Sequence, residues 1–397
     1  MPVASVSSTF VLDNGACSLK AGYSSWSSPN VIPNSITKAK SEKRRIFIGN
    51  QIDECRDLSS LYFMLPFQKG YLTNWDYQKQ IWDYMYGKQC LNVDTPSKNL
   101  VFTEPYFNFL SIQEGLSELF FEEYRFKNVF RTHPGDLTCY KNKMEHPEEP
   151  CCLVVDSGYS FTHIVPYVDG KRVRNATKRI DVGGKLLTNH LKEIISYRQL
   201  HVMDETYVMN ACREDCCYVS LDFERDLTKA ESRTESRDYV LPDFTNLRRG
   251  FMKSPEASNG RPEDSEQIIR MNNERFAVPE ILFHPSDIGI QQMGIPETIA
   301  HVISECPEET QRWLYQNIVL TGGLAKMPGF RERILKDVRE LAPNEFKVIV
   351  RLPEDPISYA WQGGAALADD PIFRELSVSK LDYQERGHQA CVDKYYL

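Results

Sequence analysis

Two aspartates stand in matching surroundings far apart in the chain. The stretches "VLDNGACSLK" and "VVDSGYSFTH" each carry an apolar run to an aspartate, Asp13 and Asp156. Each continues with Asn or Ser and then a glycine, Gly15 and Gly158, and sets a basic or imidazole side chain seven residues after the acid, Lys20 and His163. Glycine N–H groups on such turns can point at phosphate oxygens, and an aspartate on either side can hold water around a magnesium ion. Lys20 would supply a point charge to the phosphates, while His163 would hydrogen-bond a water or orient its neighbours. Either stretch alone reads more simply as a tight β-turn, with Asp capping its own turn and His163 a core histidine. The matched pair, joined by a third glycine turn in "NIVLTGGLAKMPGF" with Gly322 and Gly323 at its tip, favours a nucleotide cleft. The "GGK" at 183–185 is not a P-loop, because Leu186 stands where a magnesium-binding Ser or Thr would be.

Such turns must be carried by strands and backed by helices. "STFVLDNGACSLKAGYS" reads as a β-hairpin about Asp13, Asn14 and Gly15, and the second stretch repeats the pattern. The separation is too long for a solenoid and implies two related halves, each opening with a hairpin. "FNFLSIQEGLSELFFEEY" reads as a helix with a Ser111–Glu114 capping box and Ile112, Leu116, Leu119 and Phe120 on one face. "VGGKLLTNHLKEIISY" reads as a glycine turn entering a helix with Leu187, Leu191, Ile194 and Ile195 on one side. Strands followed by helices in both halves predict an α/β protein. The polar stretch from about 227 to 267 is the clearest long loop or insertion, in which Leu241, Phe244, Leu247, Phe251 and Met252 offer anchors for a partner.

Composition narrows the function. At 397 residues and 41% hydrophobic the chain can bury substantial cores. Its 55 acidic against 47 basic residues, net −8, disfavour direct DNA binding. The basic run "KAKSEKRR" at 38–45 reads first as a solvated loop and second as a nuclear-import signal. No apolar run reaches the ~20 residues of a membrane span, and the opening residues lack the pattern of a secretory leader, so an intracellular protein without a membrane role is expected. Eleven cysteines, an odd number with adjacent pairs, predict reduced thiols; Cys212, Cys216 and Cys217 lack the second half of a zinc motif and are expected to be buried and structural.

"VLDNGACSLKAGYS", "TNWDYQKQIWDYMYG", "TEPYFN", "VVDSGYSFTHIVPY", "CYVSLDFE", "NERFAVPEILFHPSDIG" and "VLTGGLAKMPGF", in this order, resemble the actin family over nearly the whole chain. The resemblance implies the two-lobed fold shared with heat-shock chaperones and hexokinase, with ATP or ADP and Mg in a cleft between lobes. It implies a first lobe of 1–150 and 354–397 and a second of 151–353 carrying the insertion. Asp13, Gly15 and Lys20 match the family's first phosphate hairpin, and Asp156, Gly158, Thr162 and His163 the second, with Asp13 and Asp156 reaching the metal through water. Gly184, Arg213, Glu214, Gly322 and Gly323 match the ribose and adenine pocket, where Met327 replaces a tyrosine.

Departures from the family matter as much. Ala16 replaces a serine facing the γ-phosphate, and Tyr159 and Ser160 replace an aspartate and a glycine near the metal. Pro134 stands where a glutamine orients the attacking water. Loss of water positioning and of a metal carboxylate predicts a pocket that holds ATP but scarcely hydrolyses it. The chain is shorter than actin between Ser28 and Tyr71, where the family carries filament contacts, so no filament is expected. Similarity to a nuclear member of the family implies a non-catalytic subunit of the remodelling complex that exchanges a core histone for its Z variant. The implied partners are a Swi/Snf-family ATPase and a zinc-finger HIT-domain subunit, with core and Z-variant histones contacted indirectly. The implied location is the nucleus, with a cytoplasmic pool also allowed. The competing expectations are an actin-type ATPase whose nucleotide drives assembly and a cytoplasmic cytoskeletal adaptor.

Overall fold

In the computed structural model, which describes residues 9–42, 45–232, 236–254 and 266–395, both apolar runs become strands that pair with the strand following them. Thr9–Asn14 lies antiparallel to Ser18–Tyr23 with Asp13 opposite Lys20. Cys151–Ser157 lies antiparallel to Thr162–Val168 with Asp156 opposite His163. The spacing of seven is therefore a cross-strand register. One expectation needs correcting: Asp13 and Asn14 end a strand, as do Asp156 and Ser157, and the turns proper are 15–17 and 158–161. Ladder pairing carries through each aspartate, which fixes its direction more firmly than a turn position would.

Each hairpin seeds a sheet. The first runs Val378–Ser379, Asn128–Thr132, Asn99–Thr103, Thr9–Asn14, Ser18–Tyr23, Asn30–Pro33, with the three central strands parallel. The second runs Lys171–Arg172, Thr162–Val168, Cys151–Ser157, Ile318–Thr321, Val350–Arg351, and Lys178–Ile180 joins Thr162–Val168. Helices cover both, giving the expected α/β architecture. One core gathers Phe10, Leu12, Trp82, Phe102 and Phe120; the other gathers Leu153, Val155, Leu187, Ile299 and Phe330. Late in the chain, helix Tyr359–Asp369 packs on helix Pro134–Glu145 and on strand Thr9–Asn14, so the C-terminal part returns to the first lobe.

The helix Gly184–Arg198 buries Leu187, Leu191 and Ile195 as its periodicity requires. The helix expected at Ser111 starts instead at Leu110, after Phe109, without a side-chain cap, so the Ser111–Glu114 box is not made. Phe107 takes a left-handed conformation (φ 58°) and the Asn108 side chain accepts from the Phe109 N–H, which turns the chain into the helix one residue early.

The polar stretch is also more structured than expected. Helix Phe223–Glu231 runs into it, and Phe251–Met252, Arg237–Val240 and Ile268–Met271 form a three-stranded antiparallel sheet. Tyr239, Ile269 and Met271 join the second lobe's core, while Arg270 donates to both oxygens of Asp238 at 2.8 and 3.1 Å across the ladder. Of the five presumed partner anchors, Leu241 and Phe244 pack into this chain's own cores. Residues 233–235 and 255–265 of that stretch, Lys43 and Arg44 of the basic run, and the opening residues 1–8 lie outside the described residues.

In the first lobe, strands Ile36–Ala39, Ile46–Ile48 and Leu61–Met64 build a separate small sheet over a core of Ala39, Phe47, Ile52, Cys55, Leu58 and Leu61. Cys212, Cys216 and Cys217 are buried thiols in the second lobe's core, as expected. Among the described residues, no helix is long and apolar enough to cross a membrane.

Candidate nucleotide cleft

Between the lobes lies a cavity of about 580 Å³, within the range of small-molecule sites. The first hairpin contributes Asp13, Gly15 and Lys20, and the second Asp156 and Gly158. Gly184 opens one lining helix, Arg213 and Glu214 sit on another, Thr206–Cys216, and Gly322 and Gly323 form the third turn. All ten candidates thus face one space. Ala16, Pro134, Tyr159, Ser160 and Met327 line the same cavity.

Asp13 is held through both of its oxygens. Lys20 Nζ lies 3.1 Å from its Oδ2, and Thr103 donates its hydroxyl to Oδ1 at 2.6 Å while accepting the Asn14 N–H at 3.0 Å. Trp82 fixes Asn14 through Nε1 at 3.2 Å. Burial works against the Lys20 charge, but its contacts with Asp13 outweigh that and hold its pKa above the ordinary value.

The second hairpin differs. Its register partner His163 is 1% exposed, enclosed by the rings of Tyr106, Phe107 and Phe161, and its Nε2 has no hydrogen-bond partner among the described residues. Burial, with Arg179, His133 and Arg172 nearby, pushes its pKa well down, so the ring is neutral. Asp156 accordingly lacks a cation across its ladder. Burial and the Asp13 charge push its pKa up to about 6, with only partial relief from Lys20.

Gly322 locks this side of the floor. Its φ of 90° is left-handed, and a Cβ there would lie 2.2 Å from the Ser157 carbonyl and 2.9 Å from Asp156 Oδ1. On the opposite wall Arg213 is buried and donates through Nε to Thr188 at 3.0 Å, joining the two lining helices. Glu214 accepts from Asn210 at 2.8 Å.

Beside the cavity lies a partly buried polar cluster that motif reading missed. Pro134 is the first residue of its helix, a position where a missing N–H costs nothing. Beside it His133 Nδ1 sits 2.9 Å from Asp136 Oδ2, Tyr167 donates to Asp136 Oδ1 at 2.7 Å, and Tyr106 OH lies 2.7 Å from Tyr167 OH. Burial opposes the Asp136 charge, yet His133, Arg172 and Tyr167 lower its pKa far below the usual carboxylate range. The short pattern "THPGD", a cap followed three residues later by an acid, was the available signal.

The donor set fits a magnesium nucleotide. Magnesium keeps most of its waters and needs only one or two carboxylates plus phosphate oxygens, which Asp13 and Asp156 can supply through water. A cation would also compensate Asp156, an acid without an ion-pair partner among the described residues, and His163, whose Nε2 is orphaned, is among the lining residues.

Paired Asp-bearing hairpins facing a cleft between two α/β lobes define an actin-type architecture. The actin family model matches residues 4–396, and the chain belongs to the actin family. Among curated proteins it is 48% identical over 391 residues to Actin-related protein 6 of Drosophila melanogaster, covering 96% of this chain and 97% of that one. It is 41% identical over 412 residues to Actin-like protein ARP6 of Cryptococcus neoformans, covering 97% and 84%. Against Actin-related protein 6 of Arabidopsis thaliana the figures are 36% over 422 residues, covering 98% and 100%.

Proposed function

We propose that this chain is a non-catalytic, actin-related structural subunit of a nuclear chromatin-remodelling complex, the one that exchanges a core histone for its Z variant. The observation that carries the non-catalytic reading is the cavity lining itself. Pro134 and Tyr159 face the space where a water-orienting amide and a metal-side carboxylate would be needed. Phosphoryl transfer draws its rate from positioning and metal electrostatics, and a proline side chain can neither donate nor accept. Hydrolysis is therefore negligible in this reading. ATP or ADP with Mg, gripped by the two hairpins and the Gly322 turn, stabilises the fold by mass action, about 2.7 kcal/mol at a hundredfold excess over Kd.

The likeness to proteins named Actin-related protein 6 over nearly their whole length supports the assignment to a remodelling complex. The proposed partners are a Swi/Snf-family ATPase and a zinc-finger HIT-domain subunit; core and Z-variant histones are met indirectly, and the acidic balance of −8 argues against direct DNA binding. The test is purification of the tagged full chain from nuclear extract, followed by sizing and mass spectrometry after a moderate-salt wash. Co-elution with a Swi/Snf-family ATPase and the Z-variant histone is the expected result. A free monomer or a self-assembled polymer would favour the competing actin-type ATPase instead.

A further inference from the structure

The polar stretch does more than decorate the second lobe. From the end of strand Arg237–Val240, residues 241–250 leave that lobe and reach the first. Their root is fixed by Leu241, which packs on the second lobe's core and donates its N–H to Gln267 at 2.8 Å, and by Arg249, which pairs with Asp215 on helix Thr206–Cys216 at 2.8 Å. Their tip is a turn closed on one carboxylate oxygen. Asp243 Oδ1 accepts the N–H groups of Thr245, Asn246 and Leu247 at 2.8 to 2.9 Å, and Phe244 is held in a left-handed conformation, φ 57°.

That turn delivers two side chains to the first lobe. Phe244 packs on the small core that contains Phe47, Ile52 and Cys55. Arg248 donates through Nη2 to the carbonyls of Asp53 and Cys55, at 3.2 and 2.7 Å, at the end of the short helix Gly49–Glu54, where carbonyls lack partners of their own. A second tie lies beside it. Glu205, at the start of helix Thr206–Cys216, accepts from the Ser60 N–H at 3.1 Å and from its hydroxyl at 3.1 Å. The lobes also meet at the cavity wall, where Gly70 (φ 77°) lies against Phe161 so closely that a Cβ would stand 1.7 Å from the ring, and Arg179 donates to Tyr71 at 2.7 Å.

We infer that residues 241–250 are an intramolecular strap that holds the two lobes closed over the cleft without any ligand in it. A two-lobed protein whose lobes meet mainly through a bound nucleotide opens when the nucleotide leaves. Here an apolar anchor and charged hydrogen bonds supplied by the chain itself bias the same equilibrium. Ligand exchange then waits on release of the strap, and lobe closure does not report nucleotide state.

Hydrogen exchange on the nucleotide-free full chain tests this apart from any question of binding. In the double variant Phe244→Ser/Arg248→Ala, residues 67–72 and 159–163, which the substituted side chains do not touch, should exchange roughly fivefold faster or more. Core strand Cys151–Ser157 should stay protected. Faster exchange confined to 241–250 and 53–61 would make the contact local packing only and overturn the inference. Should the double variant lose core protection as well, Arg248→Ala alone, which leaves Phe244 in place, must raise exchange at the same remote segments, and its failure to do so would be equally decisive.

Discussion

The two hairpins share a backbone and differ in charge. In the first, Asp13 faces Lys20 at 3.1 Å, with side-chain exposures of 7% and 13%. In the second, the same register sets Asp156 opposite a neutral, aromatic-walled His163, and Tyr159 projects from its turn into the cleft. The same backbone register can thus carry two different electrostatic settings. The first half keeps a charged grip of its own, whereas the second leaves an acid that only an added cation or a proton satisfies.

The largest effect should come from breaking the first pair. Lys20→Met leaves the buried Asp13 carboxylate without its cation and should cost about 3–5 kcal/mol in urea unfolding. His163→Met removes an imidazole whose Nε2 is already unpaired and should change stability by about 1 kcal/mol at most. Similar losses at both positions would show that the charge asymmetry carries no energetic weight.

Next comes pH. Asp156 titrates near 6 in the folded chain and near its ordinary value of 3.8 when unfolded. Between about pH 4 and pH 6 the folded state therefore holds a proton that the unfolded state has lost, so this group subtracts stability as pH rises and adds no further change above pH 6. The loss amounts to roughly 3 kcal/mol. Asp156→Asn should remove that slope and leave the variant more stable than the parent at pH 7.5, while Asp13→Asn, which removes the partner of Lys20, should be less stable there. Denaturation at pH 4.5 and 7.5 compares the two; a lower stability for Asp156→Asn at pH 7.5 would remove the asymmetry.

The smallest effect sharpens the first hairpin. Thr103→Val deletes the donor to Asp13 and the acceptor for the Asn14 N–H, at a cost of about 1–2 kcal/mol. An unchanged midpoint would mean that Lys20 alone fixes Asp13.

Both hairpins were legible in the sequence because a fixed spacing of seven translates directly into a ladder register, and the glycine turns because few other residues suit them. The sheet in the polar stretch was not. Its strands are short, and Asp238 and Arg270, polar when read singly, satisfy each other only across the ladder. Leu241 and Phe244 read as partner anchors because the sequence marks an apolar side chain in a loop without saying whose core it fills. The cluster beside Pro134 joins Tyr106 from a turn, Asp136 from a helix and Tyr167 from a strand, a proximity that no local pattern encodes.

The most direct test of the central claim, a cleft that grips nucleotide without turning it over, is single-turnover phosphate release from MgATP loaded on the purified full chain. Bound ATP should be recovered intact, with release no faster than from a denatured control. Release above that background, abolished by Asp13→Ala, would contradict it.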